Sequence, residues 1–169
     1  MAVHTLGPAG TNCEYAARYW LNRRADFPGI VVLHDSLERA VAAMLADPRD
    51  SVMLGCIVYP ALHELIFQNV TRMRLSECFV MPTLPMVVAS RTGEGKPQTV
   101  ASHAAPVNLL DGLDIEFILS GSNSQAAQLC AEGQADACIT TDVAARSNRL
   151  VVLRNFGPIP MGFSVHVPV

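Results

Sequence analysis

The chain has 169 residues, of which half are hydrophobic and 16% are charged, and its formal net charge is −3. This length suits one compact domain or two small lobes, and the low charged fraction excludes a disordered chain. The sequence lacks the clustered Lys and Arg of nucleic-acid binders and the roughly 20-residue apolar run of a membrane helix. The N-terminal segment does not resemble a signal peptide, so we expect a cytoplasmic protein. Because so apolar a chain also fits a subunit that buries surface in an oligomer, we expect a homodimer.

The five cysteines, at positions 13, 56, 78, 130 and 138, are odd in number and include no CxxC pair. Without a secretory signal, this usage predicts reduced and mostly buried thiols. The five histidines do not fall at metal-ligand spacing with Cys or carboxylate residues. We therefore expect neither a metal site nor a cofactor.

Short apolar runs alternate along the chain with segments that carry helix start signals. The runs that predict strands lie at residues 3–6, 30–33, 52–59, 85–90, 99–101, 115–119, 137–140 and 150–153. Their continuous apolar character is typical of strands buried on both faces of an α/β sheet. The helix start signals are, in chain order, Thr11 with Glu14, Asp35 with Glu38, Ser122 with Gln125, and Asp142.

This alternation predicts βαβ units and mostly parallel sheets. We expect an α/β fold of two lobes with a cleft between them. Lobe 1 comprises residues 1–88 and is completed by residues 154–169, and lobe 2 comprises residues 89–153. The polar segment 91–98, RTGEGKPQ, is predicted to be a surface loop near a lobe boundary.

The segment LGPAGTNCEYAA, residues 6–17, leads from a predicted strand through a glycine-rich turn into a capped helix. Unpaired N–H groups and the helix dipole make such a helix N-terminus an anion site in which Thr11 and Asn12 are the candidate ligand contacts. A tight turn whose cap is satisfied by its own side chains is an equally good interpretation. Cys13 lies in the first helical turn, where we expect it to contribute to packing rather than to act as an activated thiol.

Two further polar turns follow predicted strands. Residues 120–127, SGSNSQAA, place Ser122, Ser124 and Gln125 at a helix N-terminus, where one cap would suffice, so ligand contact is the favoured interpretation. Ser102 and His103 follow another strand, and His103 is a candidate general acid or anion partner, although a structural role is more common for such a residue. Because open α/β sheets place ligands at the carboxyl ends of strands, these turns predict a site for a small anion with two or more negative oxygens.

These motifs resemble the prephenate dehydratase family. The resemblance rests on LGPAGTNCEYAA and on GSNSQAAQLCAEGQADACITTDVAARSNRLVVL, and with the motif order it spans residues 5–164. It implies two α/β lobes of the type II periplasmic-binding-protein kind with prephenate held between them. The regulatory ACT domain that usually follows the catalytic part does not occur in these 169 residues, so we do not expect feedback control by phenylalanine through it.

Two departures from the dehydratase pattern argue against ordinary dehydration. The family's Thr-Arg-Phe motif, whose threonine assists loss of the ring hydroxyl, is replaced by IPMGFSVH at residues 159–166. The family's Glu-Asn-Ser motif is replaced by YPALHE at residues 59–64.

The motifs are more similar to those of the non-aromatizing prephenate decarboxylases of the bacilysin pathway. Shared segments are the TLGPxGTxxEYAA opening, Leu33-His34-Asp35, SHxxPxNL at residues 102–109, SxSQAA, and the ending of residues 159–164. The decarboxylases have an acidic residue where His63 falls here. The likeness implies a small lyase for a cyclic acid in antibiotic-type metabolism, with His103 or His63 as proton donor and with Met161 and Phe163 shaping the pocket.

Two other functions stay open at this stage. Dehydratase-like proteins also act on other cyclic intermediates in pathways to tropone-type antibiotics. The same two-lobed fold is also used in modules that bind small acids without catalysis.

Overall fold

The computed structural model describes residues 1–24, 28–110 and 112–169. Chain contacts divide it into unit 1, which comprises Met1–Pro82 and Pro160–Val169, and unit 2, which comprises Thr83–Ile159. The sequence placed these boundaries at 88/89 and 153/154. The boundaries between the units fall instead at 82/83 and 159/160. Unit 2 is longer than predicted because the strands at Met86–Ser90 and Val151–Gly157 pair with each other inside it.

The chain contains ten strands and five α-helices within the described residues. In chain order they are β1 (Ala2–Leu6), α1 (Asn12–Asn22), β2 (Ile30–His34), α2 (Leu37–Ala46), β3 (Ser51–Cys56), α3 (Leu62–Gln68), β4 (Met73–Pro82), β5 (Met86–Ser90), β6 (Thr99–His103), β7 (Glu116–Ser120), α4 (Asn123–Ala131), β8 (Ala137–Thr141), α5 (Asp142–Ser147), β9 (Val151–Gly157) and β10 (Pro160–Pro168). A short 3₁₀ helix at Val107–Leu110 follows β6.

Each unit contains one five-stranded sheet, and both sheets have the same plan. The strand orders are β2-β1-β3-β10-β4 in unit 1 and β7-β6-β8-β5-β9 in unit 2. In each sheet the first three strands are parallel, and the fourth is antiparallel to both of its neighbours. The α/β class is confirmed, and the sheets are mostly parallel as expected, since four of the five strands in each sheet run in the same direction. Each sheet receives one strand directly after the chain passes between the units, and that strand enters antiparallel.

The predicted capping boxes form at both helices that carry them. Thr11 Oγ1 accepts a hydrogen bond from the Glu14 N–H at 3.3 Å, and Glu14 Oε2 accepts one from the Gly10 N–H at 2.7 Å. In α4, Ser122 Oγ accepts from the Gln125 N–H at 3.1 Å, and Gln125 Oε1 accepts from the Gly121 N–H at 2.7 Å. In each box the cap side chain accepts the N–H of the third helical residue, and the side chain of that residue accepts the N–H of the residue before the cap, so the pair of bonds fixes where the helix begins.

Helices cover both faces of the unit 1 sheet, which therefore has a core on each side. One core packs α1, with Trp20 and Phe163, against the sheet, and the other packs α2 and α3 around Met53. In unit 2, small residues such as Ala126 and Ala127 bring α4 close to its sheet. The segment 91–98 is an irregular and largely exposed loop between β5 and β6, within unit 2.

A titratable group lies in the core of unit 1. His166, on β10, is 1% exposed, and its Nε2 lies 3.1 Å from Ser164 Oγ. Its Nδ1 has no hydrogen-bond partner within the described part of the chain. Burial lowers the pKa of His166 below its usual value of 6.5, because the charged imidazolium loses its hydration.

We expect the free energy of unfolding to fall as the pH drops below about 6.5. The folded state holds His166 neutral, whereas the unfolded chain binds the proton, so stability is complete above the unfolded pKa and is lost as the pH falls toward the lowered folded value. One such group contributes at most about 1.4 kcal/mol per pH unit. Urea titrations at several pH values should therefore show a smaller slope for His166→Gln than for the wild type. The exposed His63→Gln control should keep the wild-type slope, and an unchanged slope in His166→Gln would contradict the assignment.

Cys13 is 6% exposed in the core beneath α1, and burial raises its pKa to about 12. At pH 8 only about one such thiol in ten thousand is ionised, so we expect iodoacetamide to leave Cys13 unmodified while it labels the exposed Cys78. Peptide mass spectrometry distinguishes the two sites. Labelling in denaturant, where both cysteines should react, is the control, and equal rates in the folded protein would refute a packing role for Cys13.

Candidate functional site

The carboxyl edge of the parallel strands in unit 2 gathers polar side chains from three strand ends. Register pairs His103 of β6 with Ser120 of β7, and β8 lies parallel on the other side of β6. The polar residues at this edge are Ser102, His103, Ser120, Ser122, Asn123, Ser124, Gln125, Thr140 and Thr141. The structure thus brings together five of the predicted site residues, and the edge has the position at which open α/β sheets bind ligands.

His103 is one titratable group of this edge, and Asp142, which begins α5 directly after β8 and pairs with Arg146, is another. Its Nδ1 accepts a hydrogen bond from the Ala105 N–H at 3.3 Å. Burial lowers the pKa of His103, so the neutral imidazole prevails near pH 7 and carries its proton on Nε2. The Ser102 side chain is fully buried and donates to the His103 carbonyl at 2.8 Å, which holds the turn rather than a ligand.

The polar residues at the α4 N-terminus differ in how exposed their side chains are. Ser122 is 7% exposed and is occupied as the cap, whereas Ser124 is half-buried and Gln125 is exposed. Thr140 Oγ1 donates to the Asn123 carbonyl at 2.6 Å and so ties the β8 end to this helix. Sequence reasoning did not select Asn123, Thr140 or Thr141, although the two threonines follow an apolar strand in the same way as Ser102 and His103.

In unit 1, the turn between β1 and α1 closes on itself. The Gly7 N–H donates to the His34 carbonyl at 2.7 Å, the Thr11 hydroxyl donates to the Leu6 carbonyl at 3.2 Å, and the Gly7–Pro8 peptide bond is cis. A Cβ at Gly7 would lie 3.1 Å from Leu33 Cβ, so the turn favours glycine there. Thr11 is 5% exposed, whereas Asn12 beside it is half-buried. These contacts hold the turn against β1 and β2, and the choice between a self-satisfied turn and an anion site stays open.

The other predicted residues of unit 1 differ widely in exposure. The His63 side chain is 73% exposed, and its Nε2 lies 3.8 Å from Glu64 Oε1. It lines a depression of about 390 Å³ next to the β3 end, whose walls are Ile57, Val58, Tyr59, Pro60, Leu62, His63 and Ile66. Phe163 is 1% exposed and stacks on Phe79 with ring centroids 5.7 Å apart, and Met161 packs partly buried against the same core.

Exposure separates the predicted site residues into two groups. Those with surface to offer a ligand are Asn12, His63, His103, Ser124, Gln125 and Met161. Those buried below the surface are Thr11, Ser102, Ser122 and Phe163, whose position fits support of the neighbouring turn or core. The ligand roles of all ten residues stay predictions.

Two further properties concern metals and membranes. The described residues contain no group of three or more His, Cys, Asp or Glu side chains that could hold a metal ion. Across the same residues, each helix is too short or too polar to cross a membrane.

A comparison with curated proteins finds relatives along nearly the whole chain, although no family model matches it. A prephenate decarboxylase of Bacillus subtilis (strain 168) is 27% identical over 175 residues, which cover 98% of this chain and 85% of that protein.

Solved structures show the same fold at lower sequence identity. The prephenate dehydratase of Arthrobacter aurescens, in complex with L-Phe, is 15% identical with a TM-score of 0.73 over 100% of this chain. The chain spans 61% of that dehydratase chain. The periplasmic VFT2 domain of Bordetella pertussis BvgS is 17% identical with a TM-score of 0.60, and the match covers 99% of this chain and 80% of that domain.

These similarities confirm the predicted fold class, an α/β fold of the type II periplasmic-binding-protein kind. They also confirm the resemblance that the motifs indicated: the chain is similar over nearly its whole length to prephenate decarboxylases, and it has the fold of the prephenate dehydratases.

Proposed function

We propose that this protein is a small lyase that decarboxylates prephenate, or a closely related cyclic carboxylic acid, without aromatizing the ring. The observation that supports this most is the similarity to a curated prephenate decarboxylase over 98% of the chain, because the matched length includes the polar edges of both units. The proposal includes the antibiotic-type metabolism that the bacilysin-type motifs imply.

The reaction breaks one carbon–carbon bond and needs one proton. The ring carboxylate of prephenate leaves as carbon dioxide, and the electron pair of the broken bond passes into the ring diene. A proton then adds to a distal ring carbon, so the dihydro product keeps the ring hydroxyl. The protein must therefore hold the substrate, leave the reacting carboxylate poorly solvated and deliver the proton.

The α4 N-terminus is the better of the two capped helix starts for a substrate carboxylate. Gln125 closes its capping box with a neutral amide, whereas Glu14 closes the box of α1 with a carboxylate that also pairs with Arg18 at 2.7 Å. An incoming anion thus meets the helix dipole at α4 and an existing negative charge at α1. We assign a substrate carboxylate to Ser124 and Gln125.

His103 is the first candidate for the proton donor. Its Nε2 carries a proton in the neutral ring, and a bound dianion beside it would raise its pKa and favour the imidazolium that can protonate a carbon. His63, exposed on α3, is the second candidate.

A non-catalytic binding module is the second candidate function. It is favoured by the likeness to the periplasmic VFT2 domain of BvgS, because one fold can serve both catalysis and binding. A different cyclic substrate is the third, because residues 59–64 depart from both the dehydratase and the decarboxylase patterns.

Incubation of the purified protein with prephenate distinguishes these functions. We expect release of carbon dioxide and a dihydro product without phenylpyruvate, followed by NMR and ultraviolet absorbance. Phenylpyruvate would instead identify a dehydratase. Binding without turnover would support the binding module, and neither binding nor turnover would overturn prephenate as the ligand.

The variants His103→Gln and His63→Gln form a matched pair for the proton donor. Loss of a general acid typically costs about a hundredfold or more in rate, so we expect kcat to fall by about that factor in His103→Gln and to change little in His63→Gln. Initial rates with prephenate measure both. The reverse pattern would assign the proton to His63, and unchanged rates in both variants would leave water as the donor.

A further inference from the structure

Two histidines hydrogen-bond to each other beneath α2 in unit 1. His4 of β1 is 8% exposed, and its Nδ1 lies 2.9 Å from Nε2 of His34, at the end of β2. The two ring centroids are 5.1 Å apart. His34 belongs to the Leu-His-Asp segment that the sequence analysis singled out, and neither the core nor the proposed reaction accounts for it.

The pair connects directly to the turn that carries Asn12. The carbonyl of His34 accepts the Gly7 N–H at 2.7 Å, and a Cβ at Gly7 would lie 3.1 Å from Leu33 Cβ and 3.4 Å from the His34 carbonyl oxygen. Thr11 is in turn tied to the Leu6 carbonyl. This hydrogen bond continues the parallel pairing of β1 with β2, which ends at Leu6 and His34, so backbone pairing joins the β2 end to the segment from Gly7 to Asn12.

The charged groups around the pair oppose one another. Asp47, the residue at the C-terminal end of α2, favours a positive charge on His4. For His34 the two neighbouring charges act in opposite directions: Asp35 favours a positive charge on the ring, and Arg39 on α2 opposes it. Arg39 and Asp35 also pair with each other at 2.6 Å.

The other titratable groups near this face are partnered or set apart. Glu38 of α2 accepts a hydrogen bond from the Tyr59 hydroxyl, and Glu64 of α3 lies beside His63. On β10, His166 lies in the same row as His4, separated from it by Met53 of β3. Burial is the largest cause that lowers the pKa of both His4 and His34.

Proton counting shows when the His4–His34 bond breaks. A neutral pair shares one N–H between two ring nitrogens, and a singly protonated pair still keeps one N–H donating to one lone pair. When both imidazoles are protonated, the two nitrogens that face each other at 2.9 Å are both donors, and two positive charges lie side by side. The hydrogen bond is then lost and the rings separate.

We propose that His4 and His34 are positioning residues that hold the Gly7–Asn12 turn in its binding geometry and release it when both are protonated. The consequence for substrate binding rests on the proposed function, whereas the coupling between the pair and the turn does not. Protonation of the pair weakens ligand binding at low pH, which is the opposite of what protonation of His103 near an anion would do.

Amide hydrogen exchange at Gly7, followed by NMR between about pH 7.5 and pH 4, tests the coupling without a substrate, because both imidazoles have lowered pKa values and the second proton binds only well below pH 6.5. After correction for intrinsic exchange, the protection factor of the Gly7 amide should fall at least about tenfold. A tenfold change is what one proton supplies when its pKa differs by one unit between the closed and the open turn. Titration of the His4 and His34 ring signals should follow the same curve. Constant protection at Gly7 while both rings titrate would overturn the proposal, and this measurement needs only the wild-type protein.

Two variants add specificity. His34→Gln can still donate to His4 but does not titrate, so its Gly7 protection should vary less than about twofold over the same range. His166→Gln removes another buried imidazole of the same row and should behave like the wild type. Equal pH dependence in wild type and His34→Gln would also overturn the proposal.

Kinetics with prephenate separate this proposal from the proposed function. We expect KM to rise at low pH in the wild type, with kcat less affected, and this rise to be reduced in His34→Gln. If prephenate is neither bound nor turned over at any pH, the proposed function fails while the exchange experiment still decides the role of the pair.

Discussion

Parallel pairing of β6 with β7 and β8 is the constraint on which the polar edge of unit 2 depends. The hydrogen-bonded register places His103 opposite Ser120, and a slip of one residue would turn each of these side chains to the other face of the sheet. The alanine-rich contact of α4 with the same sheet then sets the helix start beside the strand ends. The chemistry available at this edge is thus a consequence of backbone pairing and small-residue packing before any polar side chain is considered.

The features that could be predicted from sequence are those whose causes are local. The capping boxes at Thr11 and Ser122 need only residues three positions apart, and Gly133, with φ of 81° after the end of α4, is a local stop. The parallel strands could be predicted because they are short and mostly apolar. The polar turns followed from them, since each begins where such a strand ends.

The features that sequence reasoning missed have non-local causes. Helix α3 follows Ala61, which offers no capping side chain, so nothing in the sequence marks its start. The edge strand β4 mixes exposed and buried residues, and β10 pairs with β3, about a hundred residues earlier in the chain. Exposure is non-local too: the ring of Phe79 and the surrounding core enclose Phe163, which no motif spacing reveals. The spacing of residues in a motif therefore does not tell whether a given residue contacts a ligand or supports a neighbouring residue that does.

The shared plan of the two sheets gives physical meaning to one difference between them. In both units a strand end leads into a helix whose third residue bonds back to the residue before the cap. That residue is Glu14 in unit 1 and Gln125 in unit 2. A helix dipole stabilises an anion by about 0.3–1 kcal/mol, so a carboxylate already placed at the N-terminus of α1 uses that field, while the neutral amide at α4 leaves it available. The same local fold therefore carries a carboxylate at the helix start of unit 1 and a neutral amide at the helix start of unit 2. The net charge of −3 has little effect at α4, since distant surface charges are screened beyond about 8 Å.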